Sequence, residues 1–219
     1  MPEDTVQSDG TDIDDTAENI VTQDTESVGI EDEKEDENQI SLKLPCENNN
    51  DKSELEIIDC VFIPDTELAE HTEYKKEFYK ENEVPTVDAS QEITYAFLTC
   101  KWKNNAEHKV NACLDFYGFI EAKDFPYLAL CEGVCYFDKA ENISGDDRIH
   151  KFFWRTLEAG EELDCTIGFA FKVPQESAFS KKEDRTYYIG AQPVGVDYFT
   201  IENTKGYIVP LIDKGDVNN

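Results

Sequence analysis

The chain has 219 residues, a mass of 25.0 kDa and a formal net charge of -29, with 49 acidic against 20 basic side chains. This length fits one domain, with or without a tail. The acidity argues against sequence-independent binding to nucleic acid or to an anionic bilayer, because lysine and arginine drive both kinds of binding. The sequence as written contains no spanning apolar run and no secretory signal pattern.

The first 50 residues hold much of the acid and none of the aromatic side chains. They carry 16 acidic residues against two lysines, and the first aromatic residue of the chain is Phe62. Such a segment buries too little apolar surface to offset the backbone entropy lost on folding, about 1–2 kcal/mol per residue. A calcium-buffering tract is the alternative, but the segment lacks the glycine-turned spacing of a calcium loop. We therefore predict a disordered acidic leader over residues 1–50, a β-domain over residues 53–212 and a flexible C-terminus over residues 213–219.

Beyond the leader, apolar side chains recur at every second position, which is typical of strands with one face on a core and the other near water. The clearest run precedes Pro174 and alternates through Leu163, Cys165, Ile167, Phe169, Phe171 and Val173. Further strands are predicted over residues 54–63, 93–102, 109–120, 127–137, 149–155, 186–190, 196–202 and 206–212. Many short strands without alternating helices predict an all-β fold, specifically an antiparallel Ig-like β-sandwich.

Two details of this sandwich follow from the residues between and within the strands. The runs 93–102 and 109–120 flank a polar stretch that tolerates turn conformations, so we predict that they form an antiparallel hairpin. Trp102 and Trp154 occupy apolar strand positions. We interpret both as core anchors rather than as platforms for a carbohydrate.

One segment departs from the alternation. Residues 66–82 are rich in helix formers and place Tyr74 and Phe78 four residues apart, which favours contact on one helix face. We predict one short helical insertion here. It either carries function or plugs an open end of the sandwich.

Catalytic motifs are absent from the sequence. It contains no nucleophile elbow, no H-E-x-x-H pair, no P-loop and no dinucleotide fingerprint. The histidines, His71, His108 and His150, fall in different predicted elements, and no Cys or His pair has the spacing of a tetrahedral zinc site. We predict a non-enzymatic protein with no catalytic residue, no cofactor and no metal ligand.

Seven cysteines are an odd number, which fits a reducing or anaerobic setting better than an oxidising one. Five lie in apolar strand runs, where a free thiol packs as a small hydrophobe: Cys60, Cys100, Cys113, Cys131 and Cys165. Cys100 and Cys113 would face each other across the predicted hairpin and are a candidate disulfide. Cys131 and Cys135 would lie about 13 Å apart on one side of a strand, so packing is favoured over a disulfide or metal pair. Either pairing requires a turn at Gly133.

Two further catalytic arrangements are disfavoured. A nucleophilic Cys165 or Cys135 assisted by His150 needs positive charge near the thiolate, whereas this chain is acidic throughout. The acid pairs at residues 146–147 and 161–162 fall in predicted turns, where neighbouring carboxylates are usually solvated. Neighbouring strand positions also point to opposite faces, so such pairs seldom act together on a glycoside.

Three stretches of the sequence resemble a known group of domains. They are residues 93–105, a long strand ending in an Asn turn, residues 157–169, a leucine and Gly-Glu turn before an apolar strand, and Val173-Pro174. The order is similar to that of Ig-like domains of unknown function in Gram-positive surface lipoproteins, of the DUF5067 and DUF4352 type, with DUF5027 related. The resemblance covers residues 53–212. It implies an extracytoplasmic sandwich on a flexible leader, with a lipid anchor on a segment ahead of this sequence, and it supplies no catalytic residues.

Two functions follow as expectations. The first is a non-enzymatic, extracellular cell-surface binding module, monomeric and without nucleic-acid binding or membrane insertion, whose exposed loops recognise a protein or cell-surface ligand. The alternative is a cytoplasmic immunity or inhibitor protein that uses its negative charge to capture a basic protein. A lipidation cysteine encoded upstream would favour the first, and an adjoining toxin gene the second.

Overall fold

The computed structural model describes residues 40–43, 53–80, 90–140, 152–192 and 195–212. The strands in these ranges are β1 (Ile40–Lys43), β2 (Ser53–Pro64), β3 (Gln91–Asn104), β4 (Val110–Cys113), β5 (Tyr117–Ala122), β6 (Ala129–Phe137), β7 (Trp154–Leu157), β8 (Glu162–Pro174), β9 (Arg185–Gly190) and β10 (Ile208–Pro210). An α-helix, α1, covers Ile201–Thr204, and 3-10 turns cover Leu68–Glu70, Lys76–Phe78 and Lys182–Asp184.

The strands form an antiparallel, sandwich-like arrangement, which confirms the predicted all-β fold class. Eight of the described strands hydrogen-bond in the order β1-β2-β3-β8-β6-β5-β9-β10, and β4 pairs with β7 in a separate ribbon. Strand β6 belongs to both layers of this arrangement, which are β1-β2-β3-β8-β6 and β6-β5-β9-β10. Its start pairs with β5, its end pairs with β8, and a register shift lies at Val134 and Tyr136. A strand that bends at such an irregularity lets one sheet fold over into two layers.

The two layers meet through aromatic rings. The Phe62 ring of β2 lies 5.0 Å from that of Tyr187 on β9, and the Phe171 ring of β8 lies 4.8 Å from it. A Cβ at Gly118 of β5 would lie 2.7 Å from the Phe171 ring, so glycine permits this close approach. Trp102 is fully buried in the core between the layers, as predicted, whereas Trp154 is only half-buried.

The helical insertion covers the outer face of the β3–β8 region. The Tyr74 ring stacks on Phe97 at 3.5 Å between centroids, and Tyr79 meets Tyr136 edge-on at 5.0 Å. Tyr79 and Leu68 are buried there. The insertion thus consists of 3-10 turns rather than an α-helix, and it gives the sheet a second apolar cluster. The outer face of β8 was predicted to lie near water, and this is wrong at Gly168 and Ala170, which the cluster buries.

Four local predictions were wrong. Strand β3 pairs with β2 and β8, so there is no hairpin with residues 109–120, and Cys100 lies opposite Cys165 rather than Cys113. Residues 109–120 form two strands, β4 and β5, with different partners. Residues 196–202 hold the start of α1 instead of a strand. Alternation predicts which face of a strand is apolar, but not which strand lies beside it.

Parts of the predicted domain plan lie outside the described residues. These are the leader apart from residues 40–43, the C-terminal segment 213–219, residues 81–82 of the predicted insertion and residues 149–151 of a predicted strand. Within the leader, Ile40–Lys43 forms β1 and pairs antiparallel with β2, from Ile40 opposite Ile57 to Lys43 opposite Glu54. The sheet therefore includes four residues that the sequence pattern had assigned to the leader.

Valine at Gly168 is expected to lower the free energy of unfolding by about 2–3 kcal/mol, as overpacking of a filled core does. A Cβ at this position would lie 2.9 Å from Tyr136 Cβ and 3.0 Å from the Phe97 ring. Urea unfolding monitored by tyrosine fluorescence measures the change. The control is Lys172→Val, a half-buried position on the same face of the same strand. Equal stability of the two variants would contradict the close packing of Tyr136 on β8.

Candidate functional site

Three exposed aromatic side chains lie together on the turn after β5 and the segment before α1. The ring of Tyr127 lies 5.7 Å from that of Phe125 and 5.0 Å from that of Tyr198, and both contacts are edge-to-face. Phe125 is 39%, Tyr127 42% and Tyr198 58% exposed. We call Phe125, Tyr127 and Tyr198 the aromatic surface. Exposed aromatic residues that contact one another in this way are typical of interaction sites.

A bridge between the two segments sets the direction of these rings. Leu128 and Phe199 pair as an isolated antiparallel bridge, and the Leu128 amide donates to the Phe199 carbonyl at 2.8 Å. Leu128 is buried, and the Phe199 ring packs edge-on against buried Phe119 at 5.5 Å. Since neighbouring side chains in extended backbone point to opposite sides, residues 127 and 198 are turned outwards.

A capping box fixes the segment that carries Tyr198. The Thr200 hydroxyl accepts from the Asn203 amide at 3.2 Å, and the Asn203 side chain accepts from the Thr200 amide at 2.9 Å. The Asn203 side-chain amide also donates to the carbonyl of Tyr198 at 2.9 Å. Such reciprocal bonds satisfy the open amides at a helix start. They also hold the backbone of Tyr198 in place before any ligand arrives.

The other end of the aromatic surface rests on a second ordered loop. Asp124 adopts a positive φ of 57° in the turn after β5, and the Phe125 amide donates to the Ala122 carbonyl at 3.0 Å. The Phe125 ring meets the Phe179 ring edge-on at 5.2 Å. The carbonyl of Phe179 in turn accepts from the Arg185 guanidinium. The aromatic surface therefore stands on fixed backbone at both ends.

The cysteines considered for catalysis or metal binding are packed and neutral. Burial raises the pKa of Cys131, Cys135 and Cys165 to about 12 each. A nucleophile or a metal ligand needs the opposite shift, because the thiolate is the reactive form. These three cysteines are free thiols, as is Cys100, and Gly133 lies within continuous β6. Cys46 and the proposed base His150 lie outside the described residues.

The other candidate polar residues serve local structure. His71 Nδ1 lies 2.9 Å from Glu73 Oε1, and the His108 carbonyl accepts from Asn104. The Glu161 carboxylate accepts from the Glu158 amide at 2.7 Å, while Glu162 pairs with Lys101 at 3.4 Å. The acid pair 146–147 lies outside the described residues. Within the described part of the chain, no group of three or more Cys, His, Asp or Glu is placed to hold a metal ion.

The sequence reasoning did not identify the aromatic surface. Residues 127–137 and 196–202 were predicted to be strands, so Tyr127 and Tyr198 were not distinguished from other strand residues. Two signals were present. Phe125-Pro126-Tyr127 places aromatic residues on both sides of a turn-forming proline, and Thr200-x-x-Asn203 has the spacing of a capping box. Neither signal brings Tyr127 to Tyr198, because that contact depends on the fold.

Comparison with known proteins leaves the site to be interpreted from its own geometry. The chain matches no family model, no curated protein and no solved structure. Of the helices in the described residues, none has the length and apolarity needed to cross a bilayer. The family resemblance therefore stays a prediction. The aromatic surface and the charge of the chain are the features that bear on its function.

Proposed function

We propose that this protein is a non-enzymatic interaction module that binds a partner protein through the aromatic surface. The observation that supports this function is the contact of three exposed rings, Phe125, Tyr127 and Tyr198, on anchored loops at one place. Tyrosine is enriched among residues that dominate protein interfaces, because it buries a large area at low entropic cost. The fixed backbone beneath the rings lowers the ordering cost of binding further.

The partner offers an apolar pocket or ridge to the rings and carries net positive charge. The net charge of this chain is -29, so its long-range field attracts basic proteins and repels acidic ones. Such steering raises the association rate and weakens with salt. The aromatic contacts, in contrast, set the dissociation rate, since they act only after the two surfaces touch.

Loss of each ring is expected to weaken partner binding by about 30-fold, and loss of both by up to about 1000-fold. Each truncation of an interface tyrosine at a hot spot costs about 2 kcal/mol. The variant is Tyr127→Ser with Tyr198→Ser. The experiment immobilises the full chain, identifies bound proteins from the native cell by cross-linking and mass spectrometry, and then measures their affinity with purified components.

Tyr207→Ser provides the matched control, because Tyr207 is 48% exposed and lies outside the aromatic surface. The control should bind as the unchanged chain does. The association rates of the unchanged chain, the double variant and the control should all fall as salt is added. A partner that binds the double variant and the control equally well would disprove the proposed site. Partners that bind without any salt dependence would disprove the electrostatic part.

We propose the cell surface as the location of this module, following the resemblance to surface lipoprotein domains. The acidic leader then serves as a tether, and no catalysis is involved. The cytoplasmic inhibitor is the second candidate, and one observation favours it: Cys100, Cys131, Cys135 and Cys165 are free thiols, which persist best in a reducing compartment. Fractionation of the native cell separates the two, since a surface module is protease-accessible on intact cells and an inhibitor is not.

A further inference from the structure

A groove lies between the helical insertion and the outer face of β3, β6 and β8. Its lining residues include none of those that form the aromatic surface. It encloses about 480 Å³, within the range of small-ligand sites. Tyr74, Phe78 and Tyr136 line its apolar side. Their rings form one cluster, in which Tyr74 and Phe78 both meet Tyr136 edge-on, at 5.8 and 6.3 Å. The groove thus has an aromatic wall that the packing of the insertion holds in place.

The remaining lining of the groove includes a fixed polar wall. Thr99 and Thr166 are register partners on β3 and β8, so their side chains lie next to each other. Asp138 Oδ1 accepts from the Thr166 amide at 2.8 Å, and Asp138 Oδ2 lies 3.3 Å from Lys139 Nζ. These bonds orient the carboxylate before a ligand binds. The wall offers hydroxyl, carboxylate and ammonium groups within one short stretch.

The charges of the groove cancel, which is unusual for this chain. Glu73 and Asp138 supply two negative charges, and Lys75 and Lys139 supply two positive charges. The chain as a whole carries -29. A site for an anion or a cation would be expected to hold an excess of the opposite charge. This balance therefore favours a neutral ligand that uses both donors and acceptors.

Tyr136 adds a neutral phenol to the groove. Burial, together with the charge of Asp138, raises its pKa to about 12. The hydroxyl is therefore protonated at any physiological pH, and it donates as well as accepts hydrogen bonds. Because Tyr136 is 2% exposed and its hydroxyl already bonds to the Lys75 backbone, it fixes the aromatic wall from behind and adds no charge to the groove.

We propose that this groove is a binding site for a neutral saccharide, a ligand class with apolar ring faces and many hydroxyls. The apolar face of a sugar ring would pack on Tyr74 and Phe78. Its hydroxyls would bond to the carboxylate of Asp138 and the ammonium of Lys139, and charge-assisted bonds of this kind are the stronger ones. This site is separate from the aromatic surface and does not depend on the protein partner proposed for it.

The test titrates the full chain with maltotriose, cellotriose and chitotriose at millimolar concentration and follows backbone amide signals by NMR. We expect at least one of the three to shift the amides of Thr99, Thr166 and Lys139. Lys139→Met and Phe78→Ala should each weaken that binding by about tenfold. Lys172→Met is the matched control, because Lys172 lies on the outer face of β8 and pairs with Glu132 outside the groove.

Several outcomes would overturn the proposal. One is a folded chain that none of the three trisaccharides shifts. Another is undiminished binding by Lys139→Met, whose side chain is 40% exposed and whose loss leaves Asp138 bonded to the Thr166 amide. Should Phe78→Ala unfold, Lys139→Met alone decides. Tyr127→Ser with Tyr198→Ser should bind the saccharide as the unchanged chain does, so failure of one site is distinguishable from failure of the other.

Discussion

Replacing Asn104 by alanine is expected to lower the free energy of unfolding by about 3–5 kcal/mol and the melting temperature by about 10 °C. Asn104 is 1% exposed at the end of β3. Its side-chain amide donates to the carbonyls of His108 at 2.9 Å, Leu157 at 3.1 Å and Glu158 at 2.8 Å. Its side-chain oxygen accepts from the Ala106 amide at 2.9 Å.

The size of this effect follows from what the deletion leaves behind. Alanine would leave the buried Ala106 amide and the buried Leu157 carbonyl unsatisfied, at about 1–3 kcal/mol for each group, and would also remove the part-buried bonds to His108 and Glu158. The same side chain joins the turn after β3 to the turn between β7 and β8, so both turns lose their connection. Aspartate should be no better, because it carries no N–H and would place a charge against three carbonyls.

Neighbouring Asn105 provides the control. It is exposed, and its side chain donates to the Glu54 carboxylate at 3.1 Å in a solvent-exposed bond. Asn105→Ala should therefore change the free energy of unfolding by less than about 1 kcal/mol. Chemical unfolding with matched slopes measures both variants. If Asn104→Ala were no less stable than Asn105→Ala, the hydrogen-bond network at this corner would not be structural.

The alternation along β8 shows how far sequence reasoning reaches. Six residues were predicted to share a face. Cys165, Ile167, Phe169, Phe171 and Val173 are buried in the main core, and Leu163 is partly buried against it. This part could be predicted because side-chain period is a local property of a strand. The opposite face could not, since Gly168 is buried against Phe97 and Tyr136, and Tyr74 from the insertion stacks on that Phe97 ring. The small residues Gly168 and Ala170 on that face were the sequence feature that could have indicated burial by another segment.

The same limit explains the misplaced cysteine pair. The polar stretch after Trp102 resembles a hairpin turn, but the chain crosses from β3 to the β4–β7 ribbon there. Both edges of β3 are already paired, with β2 and with β8, so a hairpin cannot form there. Buried Asn104 instead joins this turn to Leu157 through its side chain. Its role in the sequence looks like that of any turn asparagine. Only the long-range partners at Leu157 and Glu158 distinguish it.

The candidate sites are both products of tertiary structure. The aromatic surface needs the bridge between Leu128 and Phe199, and the groove needs the insertion to lie on β3 and β8. Tyr74 and Phe78 were predicted to share a face, and both do contact Tyr136. Neither site uses a motif, which is why composition and spacing alone did not identify them.

Glutamine at Glu92 is expected to lower the free energy of unfolding by about 3 kcal/mol. Glu92 forms a two-point pair with the Arg185 guanidinium, at 3.2 and 3.3 Å, and Arg185 has a side chain only 1% exposed. Removing one partner of a buried pair costs about 3–5 kcal/mol, because the other charge stays buried without compensation. Glu92 is itself 27% exposed, so we expect a loss at the lower end of this energy range.

The pH dependence of the loss gives a second measurement. Burial acts to raise the pKa of Glu92, but hydrogen bonds from Arg185 and Lys182 outweigh it, so the pKa is lowered. A carboxylate with a lowered pKa contributes stability above its unfolded pKa, about 4.3, and that contribution is lost as pH falls through the folded pKa. The stability difference between the unchanged chain and Glu92→Gln should therefore be full at neutral pH and shrink in acid below about pH 4.3.

The matched control is Glu162→Gln, which makes the same chemical change on an exposed carboxylate. Glu162 lies 3.4 Å from Lys101 and 4.0 Å from Lys103 at the surface, where ion pairs contribute about 0–1 kcal/mol. Its loss should be small and should fade in salt, whereas that of Glu92→Gln should persist. Equal effects of the two substitutions, or a Glu92 effect that does not shrink in acid, would contradict a structural role for the pair.

The same substitution has a third readout, the affinity for the partner. Arg185 also donates to the Phe179 carbonyl. Loosening the Arg185 side chain should therefore disturb the Phe125 end of the aromatic surface.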